Sequence, residues 1–340
     1  MIITIRKGEL AMFENKTILI TGGTGSWGYE LTRKLLKFNP KQIRIFSRNE
    51  LSQVNMQREF HNEASLNFII GDIRDFQAVN EACKNVDFVF HLAALKHVHI
   101  CEFQPEEAIK TNIYGTENII KASILQDVKK VIDVSTDKAV EPINLYGMTK
   151  AFGEKLMLRA NESSNQTRFV CIRGGNVLGT NGSVVPFFKK LISEGKDITL
   201  TSREMTRFFL TVSQAIDLLL KAAQESIGGE TFVMKMLSCR IVDLAEVLIN
   251  NSTDKNIKIE DIGIRPGEKL HEVLVSHYES EFTYQYSVNY YVILPTHPSP
   301  KLYNHYKHLP KVNFLKYESS TNLISFQEIE QLLKQGGFLE

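Results

Sequence analysis

The sequence predicts an α/β protein: a doubly wound parallel sheet of Rossmann type with a smaller C-terminal substrate-binding lobe. Three observations carry this. Short apolar runs alternate with helical patterns up to about residue 140, a glycine-rich turn joins the first run to the first helix, and 43% of the 340 residues are hydrophobic, enough to bury a sheet on both faces.

The elements follow in order. Residues 17–20 (TILI) read as the first strand and 27–38 as the first helix, with further strands at 43–47, 68–71, 86–92 and 131–135. A helix is expected over 105–125, where a proline followed by Glu106 and Glu107 suits a helix N-terminus. Farther on, helices are expected at 145–161, 186–194, 213–224 and 242–250, and strands at 168–173, 231–236 and 290–294. Residues 295–310, rich in Pro, His and Tyr, read as an aperiodic connection. The division expected is an extension of unassigned role at 1–12, a dinucleotide-binding core at 13–180, and a mainly substrate-binding lobe at 181–340 that shares elements with the core.

Forty basic against 39 acidic residues leave a net charge of +1, which offers no basic excess for nucleic acid. Cys83, Cys101, Cys171 and Cys239 lie far apart with no CxxC, so no metal site and no disulfide scaffold is expected. No apolar run has the roughly 20 residues of a membrane span, and Arg6-Lys7-Gly8-Glu9 interrupts the N-terminus too early for a secretory signal. The expectation is a cytoplasmic protein.

In residues 21–28 (TGGTGSWG), Gly22, Gly25 and Gly28 form G-x-x-G-x-x-G between strand and helix, the setting in which backbone N–H groups and a helix N-terminus meet a pyrophosphate. Thr24, Ser26 and Trp27 belong to the same turn. The second strand ends Ser47-Arg48-Asn49, a hydroxyl and a guanidinium where an NAD site places a carboxylate, which favours NADP. Asp72 and Ile73, after the third strand, are expected near the adenine.

Tyr146 and Lys150 form Y-x-x-x-K, i and i+4 on one helix face. A tyrosine acting as base near neutrality must lose about 3 units from its free pKa near 10; Lys150 and a positive nicotinamide ring are the expected cause.

Together these features resemble the extended short-chain dehydrogenase/reductases. Thr136-Asp137-Lys138 stands where hexose 4,6-dehydratases carry Thr-Asp-Glu. Residues 91–98 (HLAALKHV), 135–150 (STDKAVEPINLYGMTK), 181–189 (NGSVVPFFK), 205–208 (MTRF), 263–272 (GIRPGEKLHE) and 317–322 (YESSTN) are similar to the soluble UDP-N-acetylglucosamine 4,6-dehydratases, most closely the 5-inverting group of pseudaminic acid synthesis. The resemblance implies a tightly held NADP regenerated each turnover, a UDP-N-acetylhexosamine substrate and a homo-oligomer. It implies that Thr136 and Tyr146 contact the sugar O4, Lys150 holds the ribose, Asp137 is the acid at O6 and Lys138 the base at C5. Lys96 and Thr111 would line the nicotinamide–sugar junction, Ala94 and Val177 the cofactor, and Asn176 the substrate phosphate region. Arg207 and Arg265 would take the diphosphate, two cations for two phosphates, and Glu268 the uridine ribose; the competing reading makes both arginines partners of acidic neighbours. Two departures stand out: Trp27 where Phe is more usual, and Gly174 where an aromatic is usual, which widens the expected sugar pocket. Two other readings remain: a sugar-nucleotide 4-epimerase or 4-reductase on the same scaffold, and a non-catalytic NADP-binding sensor.

Overall fold

The computed structural model describes residues 11–180, 182–252 and 256–339. Of the N-terminal extension, only residues 11 and 12 are described, in a short turn at Ala11–Phe13. Asn181, which opens the NGSVVPFFK string, lies outside the described residues.

Strand β1 (Thr17–Thr21) leads through the glycine turn into helix α1 (Ser26–Leu35), followed by β2 (Gln42–Ser47), α2 (Glu50–Glu59), β3 (Leu66–Ile70), α3 (Phe76–Cys83) and β4 (Phe88–His91). Next come α4 (Val98–Phe103), α5 (Pro105–Ile109), a π turn (Lys110–Tyr114), α6 (Gly115–Leu125), β5 (Lys130–Thr136), α7 (Leu145–Ser163), β6 (Arg168–Gly174) and β7 (Asn176–Val177). The remainder runs α8 (Val184–Ser193), β8 (Ile198–Leu200), β9 (Thr206–Leu210), α9 (Val212–Glu225), β10 (Thr231–Met234), β11 (Leu237–Arg240), α10 (Ile241–Asn250), β12 (Ile259–Asp261), β13 (Val273–Val275), α11 (His277–Ser280), β14 (Thr283–Gln285), β15 (Tyr290–Ile293), α12 (Pro300–Tyr306), β16 (Tyr317–Glu318) and α13 (Phe326–Gln335).

Nine strands form one sheet in the order β14-β15-β10-β6-β5-β4-β1-β2-β3. It is parallel from β3 to β10, after which β15 pairs antiparallel with β10 and β14 antiparallel with β15. Strand order reverses between β1 and β4, and the crevice of a doubly wound sheet opens at that switch point. Helices α3, α6 and α7 cover one face and α1 and α9 the other, as expected of strands that are apolar on both sides. Beyond the sheet, α8, α10 and α13 pack with β8 and β9 around a separate apolar cluster. Antiparallel β13 and β16 tie the C-terminal tail back to the segment that precedes α11.

Two expectations need correction. The helix over 105–125 is interrupted by the π turn, which puts Thr111 and Asn112 in an irregular backbone, a feature frequent at functional sites. Residues 295–310 are not aperiodic. Ser299 caps α12 by accepting from the Leu302 N–H, Pro300 occupies its first turn, and Leu302 and Tyr306, four apart, are buried. Among the described residues no helix is long and apolar enough to cross a membrane.

Tyr306 is fully buried, and its phenol donates to Glu230 at 3.1 Å. Tyr306→Ala is expected to cost about 3–5 kcal/mol of stability and Tyr306→Phe about 1 kcal/mol. Urea unfolding checks both; equal small losses would deny α12 its place in the core.

Candidate active site

The glycine turn is shaped by contacts that leave no room for side chains. Gly22 has φ of +66°, and a Cβ there would stand 2.9 Å from the Ala93 backbone; at Gly28 a Cβ would meet the Gly23 carbonyl oxygen at 2.1 Å. The chain crossing from β4 therefore runs directly against the turn, and the N-terminus of α1, with no acidic residue in its first turn, opens into the crevice between them.

Two cavities meet here. The larger, about 610 Å³, is lined by Gly25, Ser26 and Trp27 on one side and by Lys96, Thr136, Lys138, Tyr146, Lys150, Asn176 and Val177 on the other. The smaller, about 210 Å³, is lined by Thr24, Ser47, Arg48, Asn49, Ile73 and Thr111, and both share Gly22 and Ala94. Thr111 thus faces the Arg48 end, apart from Lys96, and not the junction expected for it. Its buried hydroxyl has no hydrogen-bond partner. Asp72 turns away from the smaller cavity: Arg74 holds its carboxylate at 2.6 and 2.9 Å, with Arg48 at 3.8 Å. Burial pushes Asp72 up, but these arginines bring it net below the usual carboxylate range. Asn49 is spent in part on capping α2, accepting from the Ser52 N–H at 2.8 Å. A dinucleotide fits this groove: the turn supplies a cradle that a Cβ would fill, and Arg48 and the orphaned Thr111 hydroxyl supply donors at one end.

At the other end, β5 delivers Thr136 to the crevice, and α7, capped by Asn144 accepting from the Gly147 N–H at 2.8 Å, delivers Tyr146 and Lys150. Lys150 Nζ sits 3.2 and 3.3 Å from the two oxygens of buried Asp133. Burial lowers Lys150, but Asp133 outweighs it and the ammonium is kept. Tyr146 does not show the depressed pKa expected: burial pushes it up, against the pull of Lys150, Lys138 and a hydrogen bond with Thr136. Burial is the largest of these influences.

Lys138 Nζ meets three acceptors, Asp137 Oδ1 at 3.0 Å, Glu272 Oε1 at 3.1 Å and Asn176 Oδ1 at 3.4 Å, one for each ammonium N–H. Asp137 and Glu272 are 0% and 2% exposed. Burial lowers Lys138, but the two carboxyls carry it above its ordinary value, so the resting side chain is an ammonium and not the free amine a base requires. Burial pushes Asp137 up, Lys138 opposes and Glu272 adds to the rise. Burial also pushes Glu272 up, but Lys138 and Arg207 take it net below.

Neither of the expected phosphate residues is among those that line the larger cavity. Arg207 is 6% exposed, and its guanidinium donates to the carbonyls of Thr206 (2.7 Å), Lys269 (2.9 Å) and Leu270 (3.1 Å), with Glu268 and Glu272 each at 3.7 Å. Its donors hold the 268–272 segment in place. Arg265 is exposed, and Glu268 accepts weakly from its N–H at 3.5 Å. Gly174 does not widen the pocket, because a Cβ there would already stand 3.3 Å from Met234 Sδ.

Sequence reasoning missed Glu272, Asp133 and Asn112. Asn112 bridges Leu95 N–H and C=O (2.8 and 2.9 Å) to the Thr149 hydroxyl (3.0 Å), bracing the segment that carries Lys96 against α7. Asp133, a lone acid inside an apolar strand, carried a readable signal.

A doubly wound sheet, a glycine turn at its switch point and a Tyr–Lys pair beside Thr136 define a short-chain dehydrogenase/reductase of the extended kind, an enzyme class. The chain belongs to the polysaccharide biosynthesis protein family, whose model matches residues 18–294. It is 48% identical over 289 residues to the inverting UDP-N-acetylglucosamine 4,6-dehydratase of Campylobacter jejuni, covering 84% of each chain. It is 45% identical over 271 residues to a UDP-glucose 4-epimerase of Rickettsia bellii, covering 78% of this chain and 79% of that one. Among solved structures it is similar to Pen from Bacillus thuringiensis, with 40% identity, a TM-score of 0.89 and coverage of 96% and 99%.

Because Glu272 is a negative neighbour, its removal should let Asp137 ionise more readily. Infrared titration is expected to find an Asp137 carboxylic acid band persisting above the ordinary carboxylate range, and Glu272→Gln to move its midpoint to lower pH. An unmoved midpoint would mean that Glu272 does not act on Asp137.

Proposed function

We propose that the protein is a UDP-N-acetylglucosamine 4,6-dehydratase that uses NADP and inverts C5, giving the L-arabino 4-keto-6-deoxy sugar. The observation that carries this reading is the buried Asp137–Lys138–Glu272 group beside Thr136 and Tyr146. Loss of water from C6 needs an acid at O6 and a base at C5, whereas a 4-epimerase needs neither. The name of the Campylobacter relative supports the same reading.

A bound nicotinamide supplies hydride acceptance at C4 and hydride return at C6. The glycine turn and α1 N-terminus hold the pyrophosphate, and Ser47, Arg48 and Asn49 receive the 2′-phosphate. Tyr146 takes the C4 hydroxyl proton, with Lys150, itself held by Asp133, orienting the ribose. Asp137, pushed up by burial with Glu272 adding to the rise, donates to O6 as it leaves. Lys138 faces C5, and Glu272, 3.1 Å away, can accept the proton it must shed before acting as base. Arg265, whose side chain is exposed, is the residue we assign to the diphosphate, and Arg207 orders the segment that carries Glu268. Residues 13–180 contribute mainly to the dinucleotide half and 181–340 mainly to the sugar-nucleotide half. We place the enzyme in the cytoplasm as a homo-oligomer, with exposed Phe103, Tyr114 and Phe152 along α4–α7 available for a dimer face.

A 4-epimerase is the second reading, favoured by the Rickettsia relatives. Proton NMR of the protein with UDP-N-acetylglucosamine in D2O separates the two. A C6 methyl signal with deuterium at C5 and L-arabino couplings is expected, and a 4-epimer without methyl would overturn the dehydratase. Asp137→Asn is expected to lower methyl formation at least 100-fold while leaving nucleotide binding unchanged in calorimetry. Arg48→Ala is expected to weaken NADP binding about tenfold, ~1.4 kcal/mol, and NAD binding hardly at all. Equal losses would remove the case for NADP.

A further inference from the structure

Behind the rim of the smaller cavity lies a buried amide, Gln53, on α2. The rim itself carries Ser47 and Arg48, the residues assigned above to a 2′-phosphate. Gln53 Nε2 stands 2.8 Å from the Ile69 carbonyl oxygen, 3.0 Å from the Ser47 carbonyl oxygen and 3.0 Å from Ser47 Oγ. On the first two contacts alone, Gln53 would only tie the ends of β2 and β3 to α2, a purely structural duty.

The third contact decides which way the Ser47 hydroxyl works. Carbonyl oxygens only accept, so the end of the Gln53 amide that faces those of Ser47 and Ile69 is its NH2 group. Two N–H bonds serve three acceptors, and the third acceptor is Ser47 Oγ. That oxygen therefore accepts on its inner side and keeps its own proton to give. A ribose 2′-hydroxyl meets a neighbour as donor or as acceptor, whereas a 2′-phosphate near neutrality is an acceptor. Arg48, its side chain 53% exposed and Asp72 3.8 Å away, supplies charge with little direction. Ser47 supplies the direction.

We propose that Gln53 is a specificity-determining residue for the cofactor: by donating to Ser47 Oγ from within, it commits the Ser47 hydroxyl to donate outward to the 2′-phosphate of NADP. Gln53 acts as a positioning residue, and Ser47 makes the contact. A hydroxyl without that inner donor turns freely and presents lone pairs to the phosphate part of the time, which a dianion repels. NAD, lacking the phosphate, gains nothing from the arrangement, so Gln53 sets the preference between the two dinucleotides and not the affinity for both.

The inference rests on the NADP reading, and calorimetry of NADP and NAD binding to the full chain separates the two. Ser47→Ala is expected to weaken NADP binding about tenfold, the loss of a hydrogen bond to a charged group, and to leave NAD nearly unchanged. Gln53→Met keeps the length of the side chain and removes its donors. It is expected to weaken NADP about threefold or more and NAD hardly at all, and to add nothing to the NADP loss when combined with Ser47→Ala. A measurement on the wild type needs no substitution to fold: the Gln53 side-chain amide resonances should shift on adding NADP and not on adding NAD, because an oxygen that donates to a phosphate becomes a better acceptor. Four results would overturn the inference: NADP binding unaffected by Ser47→Ala, equal losses of both dinucleotides in Gln53→Met, an undiminished Gln53→Met effect on the Ser47→Ala background, or amide resonances that NADP leaves in place. A wild-type chain that binds NAD as tightly as NADP would instead overturn the NADP reading.

Discussion

One ammonium group held between two buried carboxyls is the interaction on which the proposed chemistry of this protein depends. Burial alone already pushes Asp137 up, and Lys138 opposes it. The second carboxyl, Glu272, sets a like charge near buried Asp137 and adds to that rise. Arg207 and Lys269 lie on the Glu272 side, so Glu272 is the carboxyl held below its ordinary range. In the mechanism proposed, Asp137 is then the acid next to a cation.

The sheet makes this arrangement possible by gathering elements from distant parts of the chain. β5 ends at Thr136, so Asp137 and Lys138 follow at its carboxyl edge, where the switch point opens and the glycine turn faces them. Glu272 arrives from the C-terminal half. Its N–H donates to Ser319 Oγ at 2.9 Å, and that oxygen also meets Thr206 Oγ1 at 2.7 Å. The pairing of β13 with β16 completes the clamp. The backbone that carries Glu272 to Lys138 is thereby held by strand pairing and by the Ser319 hydroxyl.

Much of this was legible in the sequence. The parallel strands announce themselves as apolar runs, because a strand covered on both faces has no polar side to show. The glycine turn is legible because Gly22 and Gly28 answer a steric demand that no other residue meets. Asp137, Lys138, Tyr146 and Lys150 are close in sequence and on one strand–helix connection, so spacing suffices. Glu272 could not be found that way: it reaches Lys138 only through the tertiary fold, and in the sequence it closes a charged loop like many others. Arg207 misled for a related reason, since an arginine's type suggests phosphate while its partners, three carbonyls, are set by a loop whose path spacing does not reveal. In α12 only Leu302 and Tyr306 turn inward, too thin a stripe to stand out among Pro, His and Tyr.

The clamp on Glu272 has a consequence for the life of the chain in the cell. The residues that line the dinucleotide turn and the Tyr–Lys helix all precede Ser164, whereas Ser319 and β16 follow much later in the chain. Translation therefore supplies the groove well before the residues that brace Glu272, and the acidic half of the site waits for them.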